Sequence, residues 1–413
     1  MRDVTLFTLA NGIRVVYQHI AHTKIVHCGV FLDIGSRDED FSNQGIAHFW
    51  EHMAFKGTLK RTSLEIIDSL ESVGGELNAY TDKEKIVFYA SVRDSYFDLA
   101  ADVVTDIAFH SNFPAEELEK ERGVILEEMA MYLDDPDDSL QDEFETVIYG
   151  SHPMGMNILG RKDTVAAFKK KDFIDFSTRH LDTGKIVFSV VGNLSPQQVE
   201  VVSKKYFEGI KSQHRKLQRK KINGYTAQHV ELKRPVKQAK CGIGRQSYSI
   251  YDRDSRYPFF MLVNMLGGPG MNSRLNLSLR EKHGLVYSVD AHFAPYSDTG
   301  MFAVFFGTEP RQLNRCIQLV QQELNRFCEK KLTDKQLNAA KEQIKGQLAM
   351  AEENNLSLML MAGRILLDLK EVPSLEEVFN RIDEVSPDDI LRVAQDMFIP
   401  GELSYLHMIP DSK

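Results

Sequence analysis

Two stretches of this chain, each roughly 200 residues long, run through the same order of elements: strands, a helix, a second helix, two strands, then long helices. In the first, apolar residues alternate through Val4 and Leu6 and again through Ile13, Val15 and Tyr17. Asn11-Gly12 between them is a hairpin turn signal. A third strand is expected over residues 25–34. The spacing of Ile46, Phe49, Trp50 and Met53 then predicts a helix that stops near Gly57. Thr62 and Glu65 form a capping box that opens a second helix (Leu64, Ile67, Leu70) ending at Gly74-Gly75. Residues 76–80 and 85–92 alternate as another hairpin, helices fill 94–150, a strand is expected over 185–191, and one more helix reaches about Ile210.

The second stretch predicts strands at 229–234 and 241–247, helices at 257–266 and 272–282, strands at 286–293 and 300–306, long helices over 310–369 and a last strand at 403–408. The fold class is therefore α+β: a duplicated unit, each copy a mostly antiparallel sheet covered by helices. The expected division is 1–212, a linker over 213–228, and 229–413. Residues 211–221 are strongly basic and poor in apolar residues, which reads as a solvated connector.

Lysine and arginine number 50 against 59 aspartates and glutamates, a net charge of −9, which argues against a nucleic-acid binder. No apolar run approaches the roughly 18–20 residues needed to span a bilayer, so no membrane role is expected. The first residues carry no apolar signal core. Four scattered cysteines (Cys28, Cys241, Cys316, Cys328) include no C-x-x-C pair and read as reduced thiols, which points to the cytoplasm.

The chemistry concentrates at His48-Phe49-Trp50-Glu51-His52. On a helix the two histidines lie one turn apart on one face and can share a tetrahedral metal ion, with Glu51 in reach of a water there. This is H-x-x-E-H, the inverted form of the zinc-peptidase motif. A hydrolytic zinc site needs a third protein ligand. The acidic helix expected over 114–132 offers Glu121 and Glu128, seven residues apart on one face, with Val124 and Ile125 suggesting that this face points inward. The residues alone leave Glu127 and Glu128 equally placed.

Residues 45–58, Gly-Ile-Ala-His-Phe-Trp-Glu-His-Met-Ala-Phe-Lys-Gly-Thr, resemble the signature of the pitrilysin/insulinase family of zinc peptidases (peptidase family M16). The likeness is to its two-domain bacterial members and to the mitochondrial processing peptidase. The family's third ligand is a glutamate about 75 residues after the second histidine. Here 75 residues separate His52 from Glu128, within Glu121-Arg122-Gly123-Val124-Ile125-Leu126-Glu127-Glu128. The resemblance thus implies one Zn2+ per chain on His48, His52 and Glu128, with Glu51 as general base and Glu121 as a supporting carboxylate. Residues 74–81 resemble the family's substrate-binding edge strand, which puts Asn78 and Ala79 against the substrate backbone. Residues 279–288 resemble its arginine/tyrosine pair, so Arg280 and Tyr287 would hold the substrate carbonyl. Trp50 departs from the aliphatic residue usual in the family. The second half has no histidine pair, so the resemblance implies half of a clamshell. A homodimer would complete it, or a heterodimer with an inactive sister chain, and Arg280 and Tyr287 would then serve the partner's zinc. The implied activity is that of a zinc metalloendopeptidase acting on peptides or unfolded segments. The rival is a non-catalytic assembly subunit that keeps the fold.

Overall fold

The computed structural model of the chain describes residues 4–215, 218–222 and 224–411. They form two compact units. One comprises Met1–Ala130, Met156–Lys220 and Met350–Ser374; the other comprises Met131–Gly155, Lys221–Ala349 and Leu375–Lys413. Each half of the sequence therefore lends one helical segment to the unit built mainly from the other half.

The first unit's described strands are β1 (Val4–Thr8), β2 (Arg14–His19), β3 (Ile25–Leu32), β4 (Glu76–Thr81), β5 (Ile86–Arg93) and β6 (Ile186–Gly192). They pair in the order β1-β2-β6-β3-β5-β4. Every neighbouring pair is antiparallel except β2 with β6. The Asn11-Gly12 turn closes the first hairpin, with Gly12 at φ 95°, where a side chain is disfavoured. Side chains alternate between the two faces of the sheet. Val15, Tyr17, Cys28, Val30 and Phe88 meet the helices α1 (Ile46–Ala54), α2 (Ser63–Glu71) and α3 (Phe97–Phe109). Val16, Phe31, Val87, Val187 and Val191 meet Leu358, Met359, Ala362 and Leu366 of the helix Asn355–Leu369, which comes from the second half of the sequence. At roughly 1.5–3 kcal/mol per buried aliphatic or aromatic side chain, both faces are fully used. Gly363 makes the close approach possible: a Cβ there would lie 2.2 Å from the Phe31 ring. The methionines of this region split, with Met359 buried in the contact and Met350 69% exposed.

The second unit's described strands are β7 (His229–Arg234), β8 (Ala239–Ser247), β9 (Val286–Pro295), β10 (Gly300–Thr308) and β11 (Ser404–Pro410). Their order is β7-β11-β8-β10-β9, with β11 parallel to β7 and the other pairs antiparallel. One face packs on the helices Arg253–Gly267, Leu313–Glu329 and Pro387–Met397. The other packs on α5 (Pro136–Tyr149), which follows α4 (Ala115–Asp134) in sequence. Phe144 of α5 meets Phe305 of β10 edge-on at 5.4 Å. Asp135, in the acidic run 134–138, caps α5 by accepting from the backbone of Asp137 and Asp138.

Three expectations change. The short helix expected over 272–282 is a π-helical stretch, Asn276–Lys282. The helices Leu375–Glu384 and Pro387–Met397 were not anticipated. In the basic stretch 211–221, of which 216 and 217 lie outside the described residues, Arg215 and Arg219 are not solvated, whereas most of their described neighbours are exposed. Arg215 pairs with Asp38 at 3.1 Å, and Arg219 pairs with Asp33 at 2.7 Å and Asp38 at 3.0 Å. Burial alone would raise the Asp38 carboxyl, but the two guanidiniums outweigh it and hold it below the usual range. No described helix is long and apolar enough to cross a membrane.

Candidate metal centre and active site

The motif helix α1 is positioned by a residue outside the motif. Gly45, at φ 95°, turns the chain into the helix. The buried Glu39 carboxyl group then accepts from Gly45 N and Ala47 N, each at 2.8 Å, and so fills the role of a side-chain cap. Burial pushes the Glu39 carboxyl up to about 8, against the pull of those two N–H groups. Ile46, Phe49, Trp50 and Met53 are buried on one side of α1, with Trp50 edge-on to Phe176. The other side carries His48, Glu51 and His52.

His48 and His52 stack edge-to-face with centroids 4.5 Å apart. From α4, Glu128 brings Oε1 to 3.8 Å from His48 Nε2 and Oε2 to 3.5 Å from His52 Nε2. One ligand atom from each of His48, His52 and Glu128 lies within 4.8 Å of the others. Glu127, its neighbour, is exposed and turned elsewhere, and Val124 is 49% exposed, so the inward face of α4 is narrower than the sequence suggests. Buried Glu121, two turns before Glu128 on the same face of α4, accepts from His52 Nδ1 at 2.9 Å and pairs with Lys56 Nζ at 2.8 Å. Burial would raise its carboxyl, but His52 and Lys56 hold it low. An ionised carboxylate only accepts, so Nδ1 of His52 carries a proton, and Nε2 is the ring nitrogen turned towards Glu128 and open to a metal.

His48 supplies a test of whether the set fits a metal. The residue is 8% exposed, and its ring makes no hydrogen bond with any described residue: Nδ1 is buried without a partner and Nε2 is 3.8 Å from Glu128. Burial first, then the neighbouring His52, push its pKa down to about 3, so the ring is a neutral imidazole. Burial would lower the His52 pKa, but the bond to Glu121 and the charges of Glu128, Glu51 and Glu121 raise it. Two imidazoles and a carboxylate with convergent ligand atoms are the donor set of a catalytic zinc site. The residues fit the ion.

Glu51 is half-buried beside this cluster. Thr81 donates its hydroxyl to Glu51 Oε2 at 2.6 Å. Burial raises the Glu51 carboxyl, with the Thr81 bond and His52 opposing it. Thr81 is the last residue of β4, the outermost strand beside β5, so one backbone edge of β4 has no strand partner among the described residues. Asn78 and Ala79 lie on that strand, opposite Tyr89 and Phe88 of β5. In the second unit, the Arg280 guanidinium lies 5.8 Å from the Tyr287 ring centre, and Tyr287 is 86% exposed on β9.

The structure thus brings His48, His52, Glu128, Glu51 and Glu121 together, sets Asn78 and Ala79 on the edge strand, and makes Arg280 and Tyr287 neighbours. Sequence reasoning missed Glu39, Lys56 and the Thr81 bond. A carboxylate shortly before an N-terminal glycine was the available signal for Glu39.

Such a fold and donor cluster define a class of metal-dependent hydrolase, and the comparisons give its family. Residues 14–162 match the model of Insulinase (Peptidase family M16) and residues 167–344 match that of the Peptidase M16 inactive domain. The chain belongs to peptidase family M16. It is 34% identical over 392 residues to YmxG of Bacillus subtilis, described as an uncharacterized zinc protease, covering 95% of each chain. It is also 34% identical over 397 residues to an uncharacterized zinc protease of Streptomyces coelicolor, covering 94% of this chain and 86% of that one. Among solved structures, a protease from Helicobacter pylori superposes with a TM-score of 0.90 at 22% identity, over 99% of this chain and 100% of that one.

Proposed function

We propose that this chain is a zinc-dependent endopeptidase, and the observation that carries the proposal is the convergence of His48, His52 and Glu128 beside Glu51. His48, His52 and Glu128 would hold one zinc ion per chain, and a bound ion would supply Lewis acidity and lower the pKa of water towards roughly 7. The relatives' description as zinc proteases supports this choice of metal. Glu51 takes the proton of the attacking water and passes it to the leaving amine. Its Oε2 is engaged by Thr81, so Oε1 is the oxygen that moves the proton. The free edge of β4, with Asn78 and Ala79, adds the substrate backbone as a further strand, which gives affinity with little side-chain selectivity. Arg280 and Tyr287 donate hydrogen bonds to the carbonyl oxygen as charge develops on it.

The substrates are peptides or unfolded segments, taken into a chamber that two chains enclose. A homodimer is the simplest assembly, because one chain carries both the zinc set and the Arg280/Tyr287 pair; a heterodimer with an inactive sister is the second. The proposed repeat is 1–212 and 229–413 around the linker 213–228, while each compact unit also takes one helical segment from the other half of the sequence. A cytoplasmic setting is supported by the four free thiols, three of them buried.

The experiment is chelation. Removing the metal should abolish cleavage of a quenched fluorescent peptide, and adding back zinc should restore it. Cleavage that survives metal removal would contradict the proposal. Zinc binding without any cleavage would favour the non-catalytic subunit.

A further inference from the structure

A cleft of about 660 Å³ opens in the second unit, and none of the residues assigned above lines it, although Arg280 lies on the stretch that forms one wall. It lies between the segment ending in the π-helical stretch Asn276–Lys282 and the helix Leu313–Glu329 with the loop after it. Six cations line it: Arg274, Lys282, Arg315, Arg326, Lys330 and Lys331. Glu323 is the one acid among the lining residues, and it is buried and already bonded to Arg326. On a chain whose net charge is −9, this is a strong local inversion.

The ordinary reasons for surface cations do not account for it. Lys330 and Lys331 follow a helix C-terminus, where the helix dipole favours positive charge, and Lys331 pairs with Asp388 at 2.7 Å. Arg315 is different: it sits in the first turn of the same helix, where the dipole disfavours a cation. Arg274, Lys282, Arg315 and Lys330 make no ion pair with any described residue. Arg274 is half-buried and its guanidinium lies over the Phe327 ring at 3.7 Å, which fixes its plane. Burial lowers the Arg274 pKa, with Glu323 opposing the shift and Arg326 adding to it. The cleft therefore gathers six cations around one acid, with four of the cations in no ion pair with a described residue that an incoming anion would have to break.

We propose that this cleft binds a small oligophosphate anion, with Arg274 and Arg315 as forked donors and Lys282 and Lys330 as point charges. Its volume is that of a small-molecule site. Its walls are helical turns and a loop, with no strand edge to pair a peptide backbone, so an acidic peptide fits it less well. Six cations around so small a space call for several negative charges on a compact ligand. The proposal stands apart from the peptidase reading, and its test needs no substrate.

The test is calorimetric titration of the zinc-loaded full chain with inorganic tripolyphosphate and, separately, with ATP. Zinc content is measured after each titration. Tripolyphosphate should bind with a micromolar Kd that weakens steeply between about 50 and 200 mM salt. Replacing both arginines, Arg274→Gln with Arg315→Gln, should weaken binding at least about tenfold. The exposed pair Lys282→Gln with Lys330→Gln should weaken it at least about threefold, and guards against a folding defect in the arginine variant. ATP binding as tightly as tripolyphosphate means that the phosphate chain alone is read; tighter binding means that the nucleoside is read too. The proposal is overturned if the wild type gives no binding, if both pairs of variants bind as the wild type does, or if the signal vanishes when zinc is removed.

Discussion

Glu121 accepts from His52 Nδ1 at 2.9 Å, so a carboxylate on α4 sets the tautomer of a histidine on α1 and aims its other nitrogen at Glu128. The same carboxylate is tied to Lys56 at 2.8 Å, which keeps it ionised. Glu121→Gln keeps the shape but lets the amide present either a donor or an acceptor to the ring. Zinc affinity, measured by competition with a chelator, should fall about 10- to 100-fold while the far-ultraviolet spectrum is unchanged. Unaltered affinity would mean that Glu121 does not orient His52.

Thr81 couples the edge strand to the base. Its bond to Glu51 is to a charged acceptor and worth about 1.5–3 kcal/mol, so Thr81→Val should lower kcat by roughly tenfold or more with KM little changed. Thr81→Ser should recover most of the loss, and zinc content should stay constant in both. A fall in zinc content, or no recovery with serine, would show that Thr81 acts through packing instead.

Assembly across two chains has its own signature. Glu51→Gln removes the base from one chain and Tyr287→Phe removes the carbonyl donor from the other, so each homodimer is impaired. Co-assembled chains should regain about a quarter of the wild-type rate, because half of the dimers are mixed and each has one intact site. No recovery in a mixture shown to contain mixed dimers would place Tyr287 on its own chain's zinc.

Acid should loosen the first unit through Asp106. Burial would raise this carboxyl, yet the His110 ring 3.4 Å away and the hydrogen bonds from Thr58 and Arg61 bring it down to about 2 from an ordinary 3.8. A depressed folded-state pKa gives stability that is present above the unfolded value and lost as pH falls from about 3.8 towards 2. The contribution is on the order of 2 kcal/mol. Denaturant titrations should show Asp106→Asn less stable than wild type at pH 7, with the gap closing by pH 2. A gap independent of pH would assign the loss to shape rather than charge.

What the sequence made legible follows the range of the interaction. His48, Glu51 and His52 share a helix turn, so spacing alone sets their face. Glu127 and Glu128 differ by one residue, and only the packing of α4 separates the exposed one from the one beside the histidines. Arg215 and Arg219 read as solvated because their partners Asp33, Asp38 and Glu84 lie more than a hundred residues away. The exchanged helices were hidden for a related reason. The apolar stripe of α5 or of Asn355–Leu369 states that a face is buried, not which sheet buries it. The π-helical turn at Asn276–Lys282 has no period of its own that a 3.6-residue pattern would exclude.

The central claim rests on Glu51, and Glu51→Gln tests it most directly. Cleavage of a quenched fluorescent peptide is measured for wild type and variant, with zinc determined on both. The account predicts that both hold about one zinc per chain and that only the wild type cleaves. A variant that cleaves as fast as the wild type with the same zinc content would contradict it.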